Sequence, residues 1–92
     1  MPGKALLGRV GHSAVRVVDL SYGGVRLEAA EGVEFDPILD LFCIEKKITI
    51  RMKVVSTRPA SRGWTYCGAE VCDDDPDRLA SWRLLVDYVD QA

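Results

Sequence analysis

The chain reads as a mainly β protein, a small six-stranded antiparallel barrel followed by one α-helix. Three observations predict this. Short runs with apolar residues at every second position occupy residues 5–71; Gly-, Pro- and Asp-bearing turns separate them; and the period becomes helical only after residue 75. The 92 residues give room for one domain and one core, and 48% hydrophobic residues are enough to fill it. Six short strands in an open sheet would leave exposed edges, and closing the sheet into a barrel hides them.

The elements follow in order. Ala5–Val10 is a first strand, turned at Gly11-His12-Ser13. Ala14–Leu20 and Val25–Leu27 are the second and third strands, joined by Tyr22-Gly23-Gly24, the local residues able to turn tightly. The acidic, turn-rich stretch Ala29–Pro37 reads as a loop. Ile38–Ile44 is apolar enough for a largely buried strand, although so short a run also fits a helix. Ile48–Val54 alternates cleanly, with Ile48, Ile50, Met52 and Val54 on one side and Thr49, Arg51 and Lys53 on the other. A loop over Arg58–Gly63 leads to a last strand, Trp64–Val71. Asp73-Asp74-Asp75-Pro76 then combines an N-cap aspartate with proline at the first helical position. Leu79, Trp82, Val86 and Val89 recur at helical spacing, so a helix over Pro76–Gln91, about 24 Å long, is expected to lie on the sheet or cover one barrel mouth. Trp64 and Trp82 are assigned to the core.

Composition narrows the functional classes. With 12 basic and 14 acidic residues the formal charge is −2, so there is no global electrostatic case for duplex nucleic acid or an anionic membrane, and any anion site must be local. No apolar run is long enough to span a bilayer, and Met1-Pro2-Gly3-Lys4 is not followed by a signal-type apolar segment, so direct membrane insertion is not expected. Cys43, Cys67 and Cys72 are odd in number and form no C-x-x-C pair, which disfavours a disulfide framework or a zinc site. Reduced thiols and a cytoplasmic location are the expectation. One histidine, His12, stands in a polar turn without metal-ligating neighbours, so neither a metal nor a cofactor is assigned and the chain is read as a non-enzyme. Arg51 and Lys53, with Arg16 and Arg26, could line up as a basic stripe; an ordinary solvated sheet face is the simpler account.

Val17–Glu28, V-V-D-L-S-Y-G-G-V-R-L-E, is the most informative segment. It sets Asp19, Ser21 and Gly24 as D-x-S-x-x-G at the bend between two β runs. A match of this kind arises by chance in roughly 2% of chains this long, so its context matters. In extended backbone, residues i and i+2 share a face, so the Asp19 carboxylate and the Ser21 hydroxyl can address one ligand. Gly23 and Gly24 allow close approach where a Cβ would block it. The plain alternative is that both polar side chains hydrogen-bond the turn itself.

With that hairpin placed, the chain resembles the PilZ domain family over roughly residues 4–90. Trp64-Thr65-Tyr66-Cys67-Gly68-Ala69-Glu70-Val71 looks like the family's last strand, which ends in a Gly-x-Glu-hydrophobic pattern, and the acidic turn with the Leu79/Trp82 helix follows in the family's order. The resemblance implies a six-stranded PilZ-type barrel and a role in bacterial cyclic di-GMP signalling, either as a nucleotide-binding receptor or as an adaptor with a protein partner. It also implies that Asp19, Ser21, Gly23 and Gly24 contact cyclic di-GMP. Ligand-binding members carry an R-x-x-x-R pair ahead of the first strand, whose guanidiniums can fork onto guanine O6 and N7 and stack on purines. Here only Met1–Lys4 precede that strand, and Lys4 and Arg9 are the nearest candidates to substitute. Weak binding by the chain alone is therefore expected. The competing classes are a small nucleic-acid-binding barrel using Arg51 and Lys53, and a structural interaction domain.

Overall fold

A computed structural model describes residues 6–59 and 62–90. Six strands, β1 (Leu6–Val10), β2 (Ser13–Ser21), β3 (Gly24–Ala30), β4 (Ile38–Cys43), β5 (Ile48–Pro59) and β6 (Trp64–Val71), precede one helix, α1 (Pro76–Asp90). The strands form a closed antiparallel barrel in the order β1-β2-β3-β6-β5-β4, with β4 returning to β1 through Gly8↔Cys43, Arg9↔Phe42 and Val10↔Leu41. Ala5, Ala60, Ser61 and Gln91, at the margins of the elements expected from sequence, lie outside the described residues, as does Lys4.

Alternation fills the barrel. Val15, Val17, Val25, Leu27, Leu39, Leu41, Ile50, Met52, Cys67 and Ala69 point inward and are buried. Ile48 and Val54 continue the inward row of β5 but are only partly covered. Two β-bulges interrupt the alternation. One lies between Val17 and Asp19 in β2, leaving Val18 unpaired, and the other lies between Val54 and Ser56 in β5, leaving Val55 unpaired. Each shifts the inward–outward parity of the residues beyond it by one.

The two ends of the barrel are closed differently. The β2–β3 turn, the β4–β5 turn and the β6–α1 connection share one end, and α1 lies across it. Trp82, Leu85 and Val86 are the buried residues of α1, with Leu79 and Val89 partly buried against the core. Asp75 accepts hydrogen bonds from the backbone N–H groups of Asp77 (2.9 Å) and Arg78 (3.1 Å), so it is the N-cap, with Pro76 at the first helical position. The segment between β3 and β4 covers the other end through Val33 and Phe35, both packed on the core.

Several expectations are corrected. The β3 strand extends through Ala30, and β5 extends through Pro59, into stretches read as loops. Cross-strand pairing with β6 runs from Gly24↔Glu70 to Ala30↔Trp64 and from Met52↔Val71 to Pro59↔Thr65, and this ladder overrides weak local strand propensity. Residues 38–43 form a strand buried on one face only, with Ile38 and Ile44 exposed. Trp64 is not core but 42% exposed, because Cys67 and Ala69 take the inward positions of β6 and parity turns Trp64, Tyr66, Gly68 and Glu70 outward. Trp82 is fully buried, as expected.

Candidate functional site

The outer face of β2, β3, β6 and β5 carries an open cleft of about 480 Å³, a size within the range of small-molecule sites. Asp19, Ser21, Gly23 and Gly24 all line it, together with Arg26, Ser56 and Gly68. Asp19 and Ser21 reach this face because of the Val18 bulge. Val15 and Val17 point into the core, and unbroken alternation would send residues 19 and 21 inward as well. After the bulge, Leu20 turns toward the core and Asp19 pairs with Arg26 across the strand boundary. Their Cα atoms are thus about 5 Å apart.

Asp19 is exposed and, among the described residues, its carboxylate accepts no hydrogen bond and enters no ion pair. It therefore does not serve as a turn-capping group. Ser21 Oγ lies 3.5 Å from the carbonyl oxygen of Gly24, at the outer limit of a hydrogen bond, so the hydroxyl is held loosely. Gly24 is required by packing: a Cβ there would lie 2.5 Å from the Ala69 carbonyl oxygen, where β3 and β6 approach closely. At Gly23 a Cβ would meet nothing within 4 Å; its carbonyl accepts from the Val71 backbone N–H at 2.8 Å.

The hairpin is fastened from behind by the helix. Trp82 Nε1–H is shared between the carbonyl oxygens of Ser21 (3.0 Å) and Tyr22 (3.2 Å). Tyr22 donates its phenol to Asp87, a bond that raises its pKa above the usual tyrosine value, and Arg83 lies 5.1 Å from the Tyr22 ring centroid. The position of the D-x-S-x-x-G bend is thus tied to the inner and flanking faces of α1.

Of the two cations put forward from sequence, Lys4 lies outside the described residues. Arg9 is exposed on β1, over the Phe42 ring at 5.9 Å, and pairs with Ala14. Asp19 is five residues further along β2, roughly 16 Å away, so Arg9 is not brought to the cleft. Arg26 lines the cleft itself, and Arg58 lines a hollow that adjoins it. A second hollow of about 360 Å³, lined by Arg26, Ser56, Arg58, Tyr66 and Gly68, continues the first along β3, β6 and β5. Arg26 had a legible signal, since it alternates with Gly24 and Glu28 after the motif. Arg58 had none, because its stretch reads as a loop and the Val55 bulge sets its face.

Two of the four residues of the basic stripe are paired with acids. Arg51 Nε donates to Asp40 at 3.0 Å, an ion pair that raises the guanidinium pKa, and Arg16 pairs with Glu28 while lying 5.7 Å from the Trp64 ring centroid. His12 occupies an exposed turn at the barrel end opposite α1. Cys43 and Cys67 are buried, and burial pushes the Cys43 thiol up to about 11 and also raises that of Cys67, so both stay protonated; Cys72 is exposed. Among the described residues no cluster of His, Cys, Asp or Glu could hold a metal, and no helix is long and apolar enough to cross a membrane.

The fold and cleft define a helix-capped, six-stranded antiparallel barrel with a polar hollow on its outer wall. No family model, curated protein or solved structure matches the chain.

Proposed function

We propose that the chain is a non-enzymatic PilZ-type regulatory module in bacterial cyclic di-GMP signalling, and that it takes the dinucleotide on the outer face of the β2–β3 hairpin. The observation that carries this reading is the convergence of an unpartnered Asp19 carboxylate, the Ser21 hydroxyl and the Gly24 backbone on one cleft, with Arg26 opposite. A carboxylate can accept from guanine N–H donors, while an arginine fork can meet guanine O6 and N7 or a phosphate. At Gly23, where a Cβ would meet nothing within 4 Å, the cleft lining carries no side chain and a flat base can approach the backbone.

Calorimetric titration of cyclic di-GMP into the chain, and into a form extended by an R-x-x-x-R segment ahead of residue 6, tests the reading. Saturable binding by at least one form, reduced at least about tenfold in that form by Asp19→Ala, is the expected result. No saturable heat with either form overturns it.

An adaptor role in the same pathway is supported by a separate feature. Exposed apolar side chains gather near the helix-capped end: Leu7 and Ile44, bridged by the Ile44 N–H to Leu7 carbonyl bond, and Leu84 and Tyr88 one turn apart on α1. Lys46 of the β4–β5 turn sits over the Tyr88 ring at 4.1 Å and links the two pairs. Such a surface suits a protein partner.

A further inference from the structure

We infer that Arg26 and Arg58 form an anion subsite for a phosphodiester-linked purine dinucleotide, replacing from within the barrel wall the cations that an R-x-x-x-R arm supplies elsewhere. The inference rests on the cyclic di-GMP reading and gives its ligand a second half-site.

The placement follows from register. Arg26 pairs with Gly68 of β6, Gly68 pairs with Ser56 of β5, and the next outward row pairs Tyr66 with Arg58. The Val55 bulge makes this possible, because without it Ser56 and Arg58 would continue the inward row of Ile50, Met52 and Val54. One strand and two residues separate the two arginines, so their Cα atoms lie roughly 12 Å apart, a span that two extended guanidinium forks can close around a phosphate group. Between them stand the Ser56 hydroxyl, a donor, and Gly68, where a Cβ would come within 2.8 Å of Ser56 Oγ and fill the floor.

Both guanidiniums are uncommitted. Among the described residues neither Arg26 nor Arg58 is in an ion pair. Asp19, directly across from Arg26, makes no ion pair with it, and Glu28, two residues from Arg26 and directly opposite Tyr66, has its carboxylate taken by Arg16 from the other side. Glu70, further along β6, lines the Asp19 cleft in register with Lys53 and makes no ion pair with either arginine. Arg58 lies 5.5 Å from the Tyr66 ring centroid, an arrangement that holds the planar fork against the groove and leaves an aromatic surface beside it for a base. The hollow shares Arg26, Ser56 and Gly68 with the Asp19 cleft, so one ligand can span both. A bare phosphate would use the two forks alone, whereas a guanine-bearing dinucleotide would use them together with Asp19.

Titrations of the 92-residue chain, without any added arm, with cyclic di-GMP, cyclic di-AMP and inorganic phosphate test the proposal. The chain should bind cyclic di-GMP, and Arg26→Ala and Arg58→Ala should each weaken binding at least about tenfold, with Arg58→Lys intermediate because a point charge replaces a fork. Arg51→Ala, at a residue already paired with Asp40, should leave binding unchanged. The replaced arginines are exposed, so unchanged thermal melts should show that every variant folds. Binding only by the R-x-x-x-R-extended form, or binding by the chain that ignores both Arg26→Ala and Arg58→Ala, overturns the subsite and leaves the cyclic di-GMP reading standing. If cyclic di-AMP and phosphate bind through both arginines while cyclic di-GMP has no advantage and Asp19→Ala has no effect, the anion subsite stands and the cyclic di-GMP reading falls. No binding of any probe by the chain overturns the subsite, and no binding of cyclic di-GMP by the extended form as well overturns both.

Discussion

The side chain of Asp73 has only 1% of its surface exposed, yet it remains an anion because it accepts four hydrogen bonds. Arg78 donates two of them from Nε (2.7 Å) and Nη2 (2.9 Å), and the backbone N–H groups of Arg51 and Asp75 donate the others at 3.0 and 2.9 Å. Arg78 holds the carboxyl well below the usual aspartate range, with the two backbone donors adding to the effect against the cost of burial. A depressed folded-state pKa contributes stability that is fully present above the unfolded value, about 3.9, and is lost as pH falls through the folded value. Urea melts should therefore show stability falling below about pH 4. Asp73→Asn should cost about 2 kcal/mol at neutral pH, since the charge-assisted bonds weaken, and should flatten the acid limb. Identical pH profiles for the two proteins would show that Asp73 carries none of the acid sensitivity. The sequence places this residue in a capping run, but its role as the junction of β5, the β6–α1 connection and α1 depends on long-range packing that the run does not encode.

At the scale of elements, two bulges and one tryptophan build the site. Strict alternation from Val15 and Val17 puts Asp19 and Ser21 on the core side, so the motif is legible in sequence while its outward aim is not. The Val18 bulge arises from strand pairing, which no local signal records. The same holds for Val55, which decides that Arg58 shares the outer face with Arg26; the side of the barrel on which Arg9 lies, away from the cleft, was equally beyond local signals. By contrast, the helix was legible because its caps and its 3.6-residue period both lie in one continuous segment. Its Trp82 couples the two elements by filling the core and by donating to the carbonyls at the hairpin bend. Trp82→Ala should cost about 3–5 kcal/mol. Trp82→Phe should retain much of the packing but leave the Ser21 and Tyr22 carbonyls without their donor, costing about 1–3 kcal/mol and loosening the hairpin. Amide exchange at residues 21–24 that is faster in Trp82→Phe than in the parent protein would report this coupling. Unchanged exchange there, with lower global stability, would assign Trp82 to the core alone.

For the whole molecule, the decisive step is closure, and it rests on the shortest seam. The β3–β6 boundary pairs seven residues from Gly24↔Glu70 to Ala30↔Trp64, whereas β1 meets β4 over only three. Closure was expected from edge avoidance, a global argument, while the partner of β1 could not be read from a five-residue strand. Gly8 sits in that seam because space is lacking: a Cβ would lie 3.0 Å from the Phe42 carbonyl oxygen and 3.1 Å from Leu41 Cδ1. Phe42 gives way little, since its carbonyl belongs to the β4 backbone at the point where the barrel shuts. Gly8→Val should therefore destabilise the protein by about 1–3 kcal/mol through overpacking. It should also open the β1–β4 seam ahead of the rest, because a short ladder has few bonds to break and local openings follow such weak units. Native-state hydrogen exchange gives the measurement: amides of Gly8–Val10 and Leu41–Cys43 should exchange well before those of Val25–Ala29 in the parent, and the gap should widen in Gly8→Val. If all these amides exchange through one global opening in both proteins, the barrel closes as a single cooperative unit and the short seam is no weaker than the long one.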